Sequence, residues 1–542
     1  MRSTFGSMNI AVTGLNIAQR QLDVTSHNIS NANVQGYSRQ RYINSAMPAQ
    51  GYRVQFTSPL RGKEGLGVES LSLDQIRDVF LDRQFRNEQT KATYWETRSG
   101  AMYYVEDVFN SIDANSLDGV MASFFSALQE LSKNATDEAI RTNVVAQAKR
   151  MVDVIQTYDR QLTDLMEQQN FMLLEQVRHT NRLLTQMAAL NENIFRFEMG
   201  GSIANDLRDK RALILDELAS LMDISYEYVP FEPDPIYNIY GIELTQLKVY
   251  AGGFVGENYE DNLLVQHLEA FHLEVEEMAD GDNEYYDAMK DRAGGDIDPP
   301  FSHVYLASGV RLTAYDERIG DGVAGYYGGQ LQSYIDIRDG RVDEDGTERI
   351  GIPSFLRELD RMVENFVREF NDIHSEGYTM PYGGNTTGNS GGDFFVGDTA
   401  RSMGLADAIL ESAFNVAASS ATVTLDALGH AQTGNNEIAL ELIQRMKNGV
   451  IDGLDNSIEG FYKNFLGLVA SEANASNSMR TSQEILLHGI HTQRTAVSSV
   501  SEDEEMTNLI RFQHAYNAAS RAITTIDEML DKLINGTGRV GL

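Results

Sequence analysis

Both ends of this chain carry apolar residues at the spacing of a coiled coil. The segment from His491 to Asn535 contains neither glycine nor proline. Within it, apolar side chains follow one another at alternating steps of three and four residues, which is the a/d seam of a heptad repeat. The residues of this C-terminal seam are Leu509, Phe512, Tyr516, Ala519, Ile523, Ile526, Leu530 and Leu533.

The first thirty residues repeat these steps, with two polar residues among the apolar ones. Two stripes so distant in sequence can bury each other only if the chain returns to its start. The pattern therefore predicts that the terminal helices pack together, in one subunit and in its neighbours. An antiparallel helix pair that closes an ordinary domain explains the pattern equally well. The residues of this N-terminal seam are Phe5, Met8, Val12, Leu15, Gln19, Leu22, Ser26 and Ile29.

The terminal helices are expected to be marginally stable by themselves. Each seam buries few side chains, while ordering a helix of thirty residues costs conformational entropy at every residue. In proteins, helices gain most of their stability from tertiary packing, and an isolated helix is marginal in water. We therefore expect firm order at the termini only where many copies pack together.

Composition excludes several functional classes. The net charge of −35 disfavours nucleic-acid binding by the whole chain and attraction to anionic membrane surfaces. The absence of cysteine excludes disulfides, thiolate nucleophiles and cysteine-ligated metals. No window approaches 18 apolar residues, so we expect no membrane insertion. If the protein leaves the cell, its N-terminus predicts export without a cleaved signal peptide.

The middle of the chain divides into helical and β-rich segments. The run from Val120 to Met199, free of glycine and proline, predicts at least two helices with a break at 134–137, and Ala204 to Leu221 predicts another. Alternating residues between about 225 and 327 predict strands. The expected fold is multidomain α+β, with a terminal coiled-coil layer, a helical-bundle domain and a β-rich insertion domain. The expected segments are the N-terminal helix 1–45, the helical domain 46–225, the β-rich insertion 226–327, the second part of the helical domain 328–500 and the C-terminal helix 501–542.

One motif near the N-terminus is specific enough to suggest a family. Residues 25–40 read TSHNISNANVQGYSRQ, in which Asn28, Asn31 and Asn33 can bridge backbone groups and Gly36 permits a positive φ. The segment resembles the N-terminal signature of bacterial flagellar axial proteins, and its ending from Gly36 through Tyr37 is most similar to the hook-associated protein 1 family. At 34–35 many rod and hook relatives carry Thr-Pro, so the departure here weakens a hook or distal-rod assignment.

Three further segments support the same resemblance, and they occur in the order found in that family. Residues 503–516 and 523–530 are similar to its closing helix. Residues 205–218 are similar to its helical-domain motif, and residues 328–339 give a shorter match. None of these motifs lies in the insertion 226–327.

The resemblance implies a structural protein that joins the hook to the filament, not an enzyme. It implies self-association in a ring or short helical zone, contacts with the hook protein and the second hook-associated junction protein, and an export chaperone on the C-terminal helix. It places the protein outside the cell, after type III flagellar export. The residues expected to carry assembly are Leu15, Leu22, Asn28, Asn31, Asn33, Gly36, Tyr37, Leu509, Phe512, Tyr516, Ile523, Ile526, Leu530 and Leu533.

Several patterns resemble catalytic, cofactor or metal sites, but their sequence context or spacing does not fit such sites. The G-x-G-x-x-G at 320–325 precedes Tyr-Tyr-Gly-Gly instead of a helix, and the acids at 336–345 lack calcium-loop spacing. His488 and His491 have no third ligand nearby. The carboxylates between 257 and 298 can supply a glycosidase pair only by accident, although an axial protein with an enzymatic insertion is the alternative from another class. No cofactor is expected.

Overall fold

The computed structural model describes residues 4–47, 67–109, 116–252, 262–278, 301–312, 328–342, 348–382, 385–426 and 435–536. These residues form the expected multidomain α+β arrangement. None of the helices among them combines the length and the apolar character needed to cross a membrane.

Long helices make up most of the described chain. The longest, with 62 residues, extends about 93 Å at 1.5 Å per residue. The helices are α1 (Thr4–Asn31), α2 (Val79–Phe109), α3 (Leu117–Lys133), α4 (Glu138–Met199), α5 (Asn205–Leu221), α6 (Gly329–Asp339), α7 (Ile352–Ser375), α8 (Asp407–Glu411), α9 (Glu437–Leu442), α10 (Ile458–Ser498) and α11 (Glu502–Asp531).

The predicted break near residue 135 is confirmed, because α3 ends at Lys133 and α4 begins at Glu138. Each helix starts with a side-chain cap: Ser116 accepts a hydrogen bond from the Gly119 N–H at the start of α3, and Asp137 accepts one from the Ala139 N–H at the start of α4. These bonds satisfy amides that have no partner inside the helix. The predicted helix at 204–221 is also confirmed, as α5.

The predicted β-rich insertion is confirmed in its described parts as two small antiparallel sheets. One has the order β3-β4-β5-β6, and its main pairing runs from Ile224 opposite Ala251 to Pro230 opposite Thr245. The other has the order β7-β8-β9. The strands are β3 (Ile224–Pro230), β4 (Thr245–Ala251), β5 (Leu263–Gln266), β6 (Glu269–Ala270), β7 (Glu274–Glu277), β8 (Ser302–Tyr305) and β9 (Arg311–Leu312).

Two hydrophobic cores lie along α4. Its N-terminal half packs with α2, α3, α7 and the first part of α10 around aromatic rings such as Phe124 and Phe370. Its C-terminal half packs with α5, α6 and the sheets of the insertion around Leu184, Leu218 and Val249. Because α4 contributes to both cores, it connects the helical body rigidly to the β-rich insertion.

A β-hairpin interrupts the region expected to be helical from residue 46 onward. Strand β1 (Gln40–Met47) pairs antiparallel with β2 (Gly67–Gln75), and the register shifts between Ile43 and Asn44. The expected boundary at residue 45 therefore falls within β1. The hairpin lies against α1, where the Val68 N–H donates to Thr13 Oγ1 at 3.4 Å.

The C-terminal helix expected at 501–542 is α11, whose start lies one residue from the expected boundary. Helix α10 ends at Ser498 and α11 begins at Glu502. Ser501 caps α11 by accepting a hydrogen bond from Glu504 N–H at 3.4 Å, and the sequence Ser-x-x-Glu is a capping box. That signal is present in the sequence and marks a new helix start inside a segment that lacks glycine and proline.

A loop-rich part of the chain between α7 and α10 packs on the helical body through buried polar side chains. His374 donates from Nδ1 to the Gly392 carbonyl at 2.6 Å and accepts the Ala417 N–H at Nε2, 2.8 Å away. Arg141 on α4 donates to the carbonyl of Val416. Short strands here, β12 (Phe395–Val396) and β13 (Gly404–Leu405), follow another short pair, β10 (Arg341–Val342) and β11 (Glu348–Arg349).

Candidate assembly site

The two terminal helices pack against each other in antiparallel orientation. Near the end of α1, Asn28 Nδ2 lies 3.2 Å from Oε2 of Glu505, which is near the start of α11. Along α11, the seam residues from Leu509 to Leu530 are less exposed than the neighbouring Met506 and Ile510, which are half-exposed. Leu509, Phe512, Tyr516, Ala519, Ile523 and Ile526 are partly buried, Leu530 is buried, and Leu533 is 53% exposed.

The contact face of α1 differs from the expected seam by one residue at two positions. Gln19 and Ser26 are exposed, whereas the adjacent Ala18 and Thr25 are buried. Small side chains at these two positions allow a close approach, which longer polar side chains would obstruct. Leu15, Leu22 and Ile29 remain partly buried.

Asn28 lies at the centre of the site because its side-chain amide can donate and accept hydrogen bonds at the same time. Its Oδ1 accepts from the Gln40 N–H at 3.1 Å and from the Tyr37 hydroxyl at 2.8 Å, and its Nδ2 donates to the Gln40 carbonyl at 2.9 Å. With the bond to Glu505, this buried side chain joins three parts of the chain. A buried amide with so many satisfied bonds specifies one geometry.

The segment that follows, residues 38–40, binds the start of α5. Ser38 donates from its backbone N–H and its hydroxyl to the two carboxylate oxygens of Asp209, at 3.0 and 2.8 Å. Gln40 donates to Asp206 at 2.8 Å and accepts from Asn205 at 3.2 Å. The N-terminal motif and the helical-domain motif, 165 residues apart or more, therefore meet in one network.

A row of alternating arginines and aspartates, which we call the charge ladder, links α10 to α2 and α5. Asp82 accepts from Arg77 at 3.1 Å and from Arg494 at 2.6 Å. Arg494 also lies 2.8 Å from Asp216, which accepts from Arg86 at 2.8 Å. Three arginines and two carboxylates alternate here, so each carboxylate has two cationic neighbours.

The environment shifts the pKa values of these groups in different directions. Burial would raise the pKa of Asp82, but the charges of Arg77 and Arg494 outweigh burial and lower it. Burial raises the pKa of Asp209, and the bonds from Ser38 offset only part of that effect. Burial, with the nearby carboxylates, also raises the pKa of Tyr37. The ladder therefore holds Asp82 ionised, while Asp209 is the more easily protonated carboxyl.

The remaining N-terminal candidates have different surroundings. Gly36 has a φ of 77°, and a Cβ at this position would lie 2.5 Å from the Leu213 side chain. Asn31 donates to the His27 carbonyl within α1 at 2.9 Å, and Asn33 is exposed. Asn28 and Tyr37 thus belong to the network, Gly36 supports it sterically, and Asn31 and Asn33 do not join its distant segments.

The ladder residues were absent from the candidates chosen by sequence. Their signal is weak, because lone charges such as Asp82 on α2 and Arg494 on α10 are indistinguishable in sequence from solvated surface residues. Only the fold brings them together. Arg39, inside the motif at 25–40, was also not among the candidates, although its guanidinium lies 2.7 Å from Glu505 of α11.

The patterns that mimic metal or catalytic sites have other surroundings among the described residues. No three of their histidine and carboxylate side chains are grouped as metal ligands. His488 and His491 are exposed. Asp336 instead accepts hydrogen bonds from Tyr94 and Gln332, and Asp339 binds Arg338. The glycine motif at 320–325, the acids at 343 and 345 and much of the 257–298 segment lie outside the described residues.

Three family profiles of flagellar proteins match successive parts of this chain. The family profile for the helical domain of flagellar hook-associated protein FlgK matches residues 102–395. The profile for the C-terminal part of flagellar basal body rod FlgEFG proteins matches residues 492–536, and that for flagella basal body rod proteins matches residues 8–37.

Relatives match over nearly the whole chain. Flagellar hook-associated protein 1 of Bacillus subtilis (strain 168) is 31% identical and covers 99% of both chains. The protein of that name from Salmonella typhimurium is 25% identical over 97% of this chain and 99% of its own. The flagellar hook junction protein FlgK of Burkholderia pseudomallei has a similar fold, with a TM-score of 0.51, 12% identity and coverage of 77% of this chain and 100% of that chain.

Rod-type helices at both termini with a helical domain between them define a flagellar axial protein. The chain belongs to the flagellar hook-associated protein 1 family, whose role is structural, at the junction of hook and filament. The extent of these matches favours this family over the hook and distal-rod alternative.

Proposed function

We propose that α1 and α11 form the axial layer of a ring or short helical zone and that their seams pack against those of sister subunits. The observation that carries this proposal is the convergence of the two terminal motifs and the helical-domain motif around Asn28. That network anchors the helix pair to the body of the subunit near the end of α1 and the start of α11. The hairpin covers part of α1 near Thr13, and the rest of the pair is available to neighbours.

The assembly residues are those of the two seams and the N-terminal turn. Support comes from the partial burial of most seam residues in the single subunit, which leaves apolar surface for further contacts. The set comprises Leu15, Leu22, Asn28, Asn31, Asn33, Gly36, Tyr37, Leu509, Phe512, Tyr516, Ile523, Ile526, Leu530 and Leu533.

The segments form concentric layers in this proposal. Segments 1–45 and 501–542 are innermost, segments 46–225 and 328–500 form the helical shell, and the insertion 226–327 lies outermost. The continuous core along α4 supports a rigid connection between the shell and the insertion.

The partners are the hook protein on one side and the second hook-associated junction protein on the other. Before assembly, an export chaperone binds the amphipathic α11, and the subunit leaves the cell through the flagellar export apparatus. A helix with one apolar face is a suitable ligand for a chaperone groove. The protein acts mechanically and has no enzymatic activity.

The seam is tested by the double substitution Ile523→Asp and Leu530→Asp. Charges in the seam are expected to prevent incorporation into flagella while the helical body stays folded, as judged by circular dichroism and immunogold labelling at the hook–filament boundary. The matched control places the same charges in exposed apolar positions of the body, Leu440→Asp and Val450→Asp, and should be incorporated. Normal motility of the seam variant would refute the proposal.

The absence of enzymatic activity is tested separately by deleting residues 226–327. The deleted protein is expected to assemble, and no hydrolytic activity is expected to disappear from isolated flagella. Loss of such an activity with assembly intact would favour an axial protein that carries an enzymatic insertion.

A further inference from the structure

The helix break at residues 499–501 lies where the helical body meets the terminal pair. Ser499, Val500 and Ser501 include neither glycine nor proline. In an uninterrupted helix, the Ser498 carbonyl would accept the N–H of Glu502. Because the helix is interrupted, the Ser498 carbonyl requires another donor.

Arg39 supplies that donor and contacts both sides of the break. Its backbone N–H donates to the Ser498 carbonyl at 2.9 Å, which closes α10. Its guanidinium reaches Glu505 at 2.7 Å and Glu504 at 2.8 Å, both in the first turn of α11. Its carbonyl accepts the Ile76 N–H at 2.8 Å, which fixes Arg39 to the segment leading into α2.

The burial of these groups makes the contact directional. The Glu505 side chain is 3% exposed and that of Arg39 is 22% exposed, whereas that of Glu504 is 63% exposed. A buried carboxylate requires a cation and hydrogen bonds, and Glu505 obtains them from Arg39 and Asn28. A planar guanidinium that binds two successive carboxylates fixes orientation as well as distance.

We propose that Arg39 is a positioning residue that sets the angle between α10 and α11. It thereby sets the direction in which the terminal pair leaves the helical body, so that all subunits of a ring present their seams alike. This inference rests on the assembly role proposed above. Without Arg39 both helices remain intact, since α11 keeps its Ser501 cap and four acidic residues in its first turn.

The angle can be measured directly because the chain contains no cysteine. Ala496→Cys on α10 and Ala515→Cys on α11 are exposed sites for a pair of spin labels. The double-cysteine chain is expressed with an excess of the cysteine-free chain and is spin-labelled in isolated flagella. The distance distribution is then measured by pulsed dipolar spectroscopy. One narrow distance is expected with Arg39 present, and Arg39→Ala is expected to lose it in favour of a broad distribution.

A narrow and unshifted distribution in Arg39→Ala would overturn the proposal. As a control, Arg521→Ala removes an exposed arginine from α11 and should leave the narrow distance unchanged. If Arg39→Ala is not incorporated, Arg39→Lys is measured instead, since lysine keeps the backbone bond and the charge but lacks the planar fork that holds two carboxylates in a fixed orientation. An intermediate width is then expected, and a width equal to that of arginine would contradict the assignment. Absence of the labelled parent chain from flagella would instead contradict the proposed function.

A second comparison separates positioning from simple charge neutralisation. In Arg39→Ala, Glu505 is left buried without its cation, and adding Glu505→Gln removes that penalty. The double variant is expected to recover thermal stability while the distance distribution stays broad. Recovery of both stability and the narrow distance would show that Arg39 acts only by neutralising Glu505.

Discussion

The helical body and the terminal pair are both helical, yet they are stabilised in different ways. In the body, the fully buried Phe370 ring lies 5.1 Å from Phe394 and Phe395 and 5.8 Å from Phe124, measured between ring centroids. In the described part of the terminal pair, the buried apolar side chains are Ala18 and Leu530. The body therefore contains its own core, whereas the pair has polar anchoring at one end and partly exposed seams along its length.

In the proposed function, this difference places the surfaces that assembly completes in the terminal pair. A body with its own core can fold without partners, because its stability comes from local packing. Terminal helices that bury little apolar surface gain stability only when neighbours cover their seams.

The largest effect is expected from removing an aromatic ring from the body. Phe370→Ala should lower the free energy of unfolding of the body by about 3–5 kcal/mol, because it leaves a cavity among four other phenylalanine rings. Urea denaturation followed by circular dichroism measures this. Phe197→Ala, at a position 52% exposed, is the control and should have almost no effect. Similar losses for both variants would contradict an aromatic core centred on Phe370.

Acid should weaken the body through His374. Burial, with a smaller contribution from Arg141, lowers the pKa of His374 to about 4, whereas in the unfolded chain it is about 6.5. Below pH 6.5 the unfolded chain binds the proton first, so stability is complete above that pH and falls by about 3 kcal/mol as the pH approaches 4.

The pH dependence is measured by urea denaturation of the body across that range. In His374→Asn the dependence should be flatter between pH 4 and 6.5, and in the exposed His514→Gln it should be unchanged. An equal slope with and without His374 would show that other groups cause the acid sensitivity.

The charge ladder should contribute less than the core but more than surface ion pairs. Arg494→Ala leaves Asp82 and Asp216 without a shared cation and should cost about 1–3 kcal/mol in thermal unfolding. Arg196→Ala removes an exposed arginine paired with Glu192 in the same helix, and such pairs contribute about 0.5 kcal/mol or less. Equal costs for the two arginines would mean that the ladder is no stronger than surface pairing.

Two glycines in the terminal region should respond oppositely to the same substitution. Gly36→Ala forces a Cβ against Leu213 at a positive φ and should destabilise the turn by about 1 kcal/mol. Gly14→Ala meets no atom within 4 Å and should favour α1 by up to about 1 kcal/mol. Hydrogen exchange of residues 8–37 measures both, and the same sign of change for both would contradict the assigned geometry.

The sequence predicted the architecture better than the contacts that fix it. Periodicity located α4, α5 and the C-terminal seam because helical burial repeats every three to four residues. It misplaced the N-terminal seam at Gln19 and Ser26, because small residues such as Ala18 carry little hydrophobic signal although they allow the closest approach.

The break between α10 and α11 lies at the expected start of the C-terminal segment, residue 501, but the tertiary contact that stabilises it was not predicted. The segment contains neither glycine nor proline, and the local signal of a helix start is the capping box from Ser501 to Glu504. The contact that takes the place of helix continuity comes from Arg39, some 460 residues away in sequence. Such tertiary contacts, like the pairing of Asp82 with Arg494, have no periodic signature.

The most direct test of the account is hydrogen exchange measured on the dilute monomer and on isolated flagella. In the monomer, the amides of α1 and α11 are expected to exchange rapidly while those of α4 and α7 stay protected, and in flagella all four helices are expected to be protected. Strong protection of α1 and α11 in the monomer, equal to that of α7, would show that the terminal pair is stable alone and would contradict completion by sister subunits.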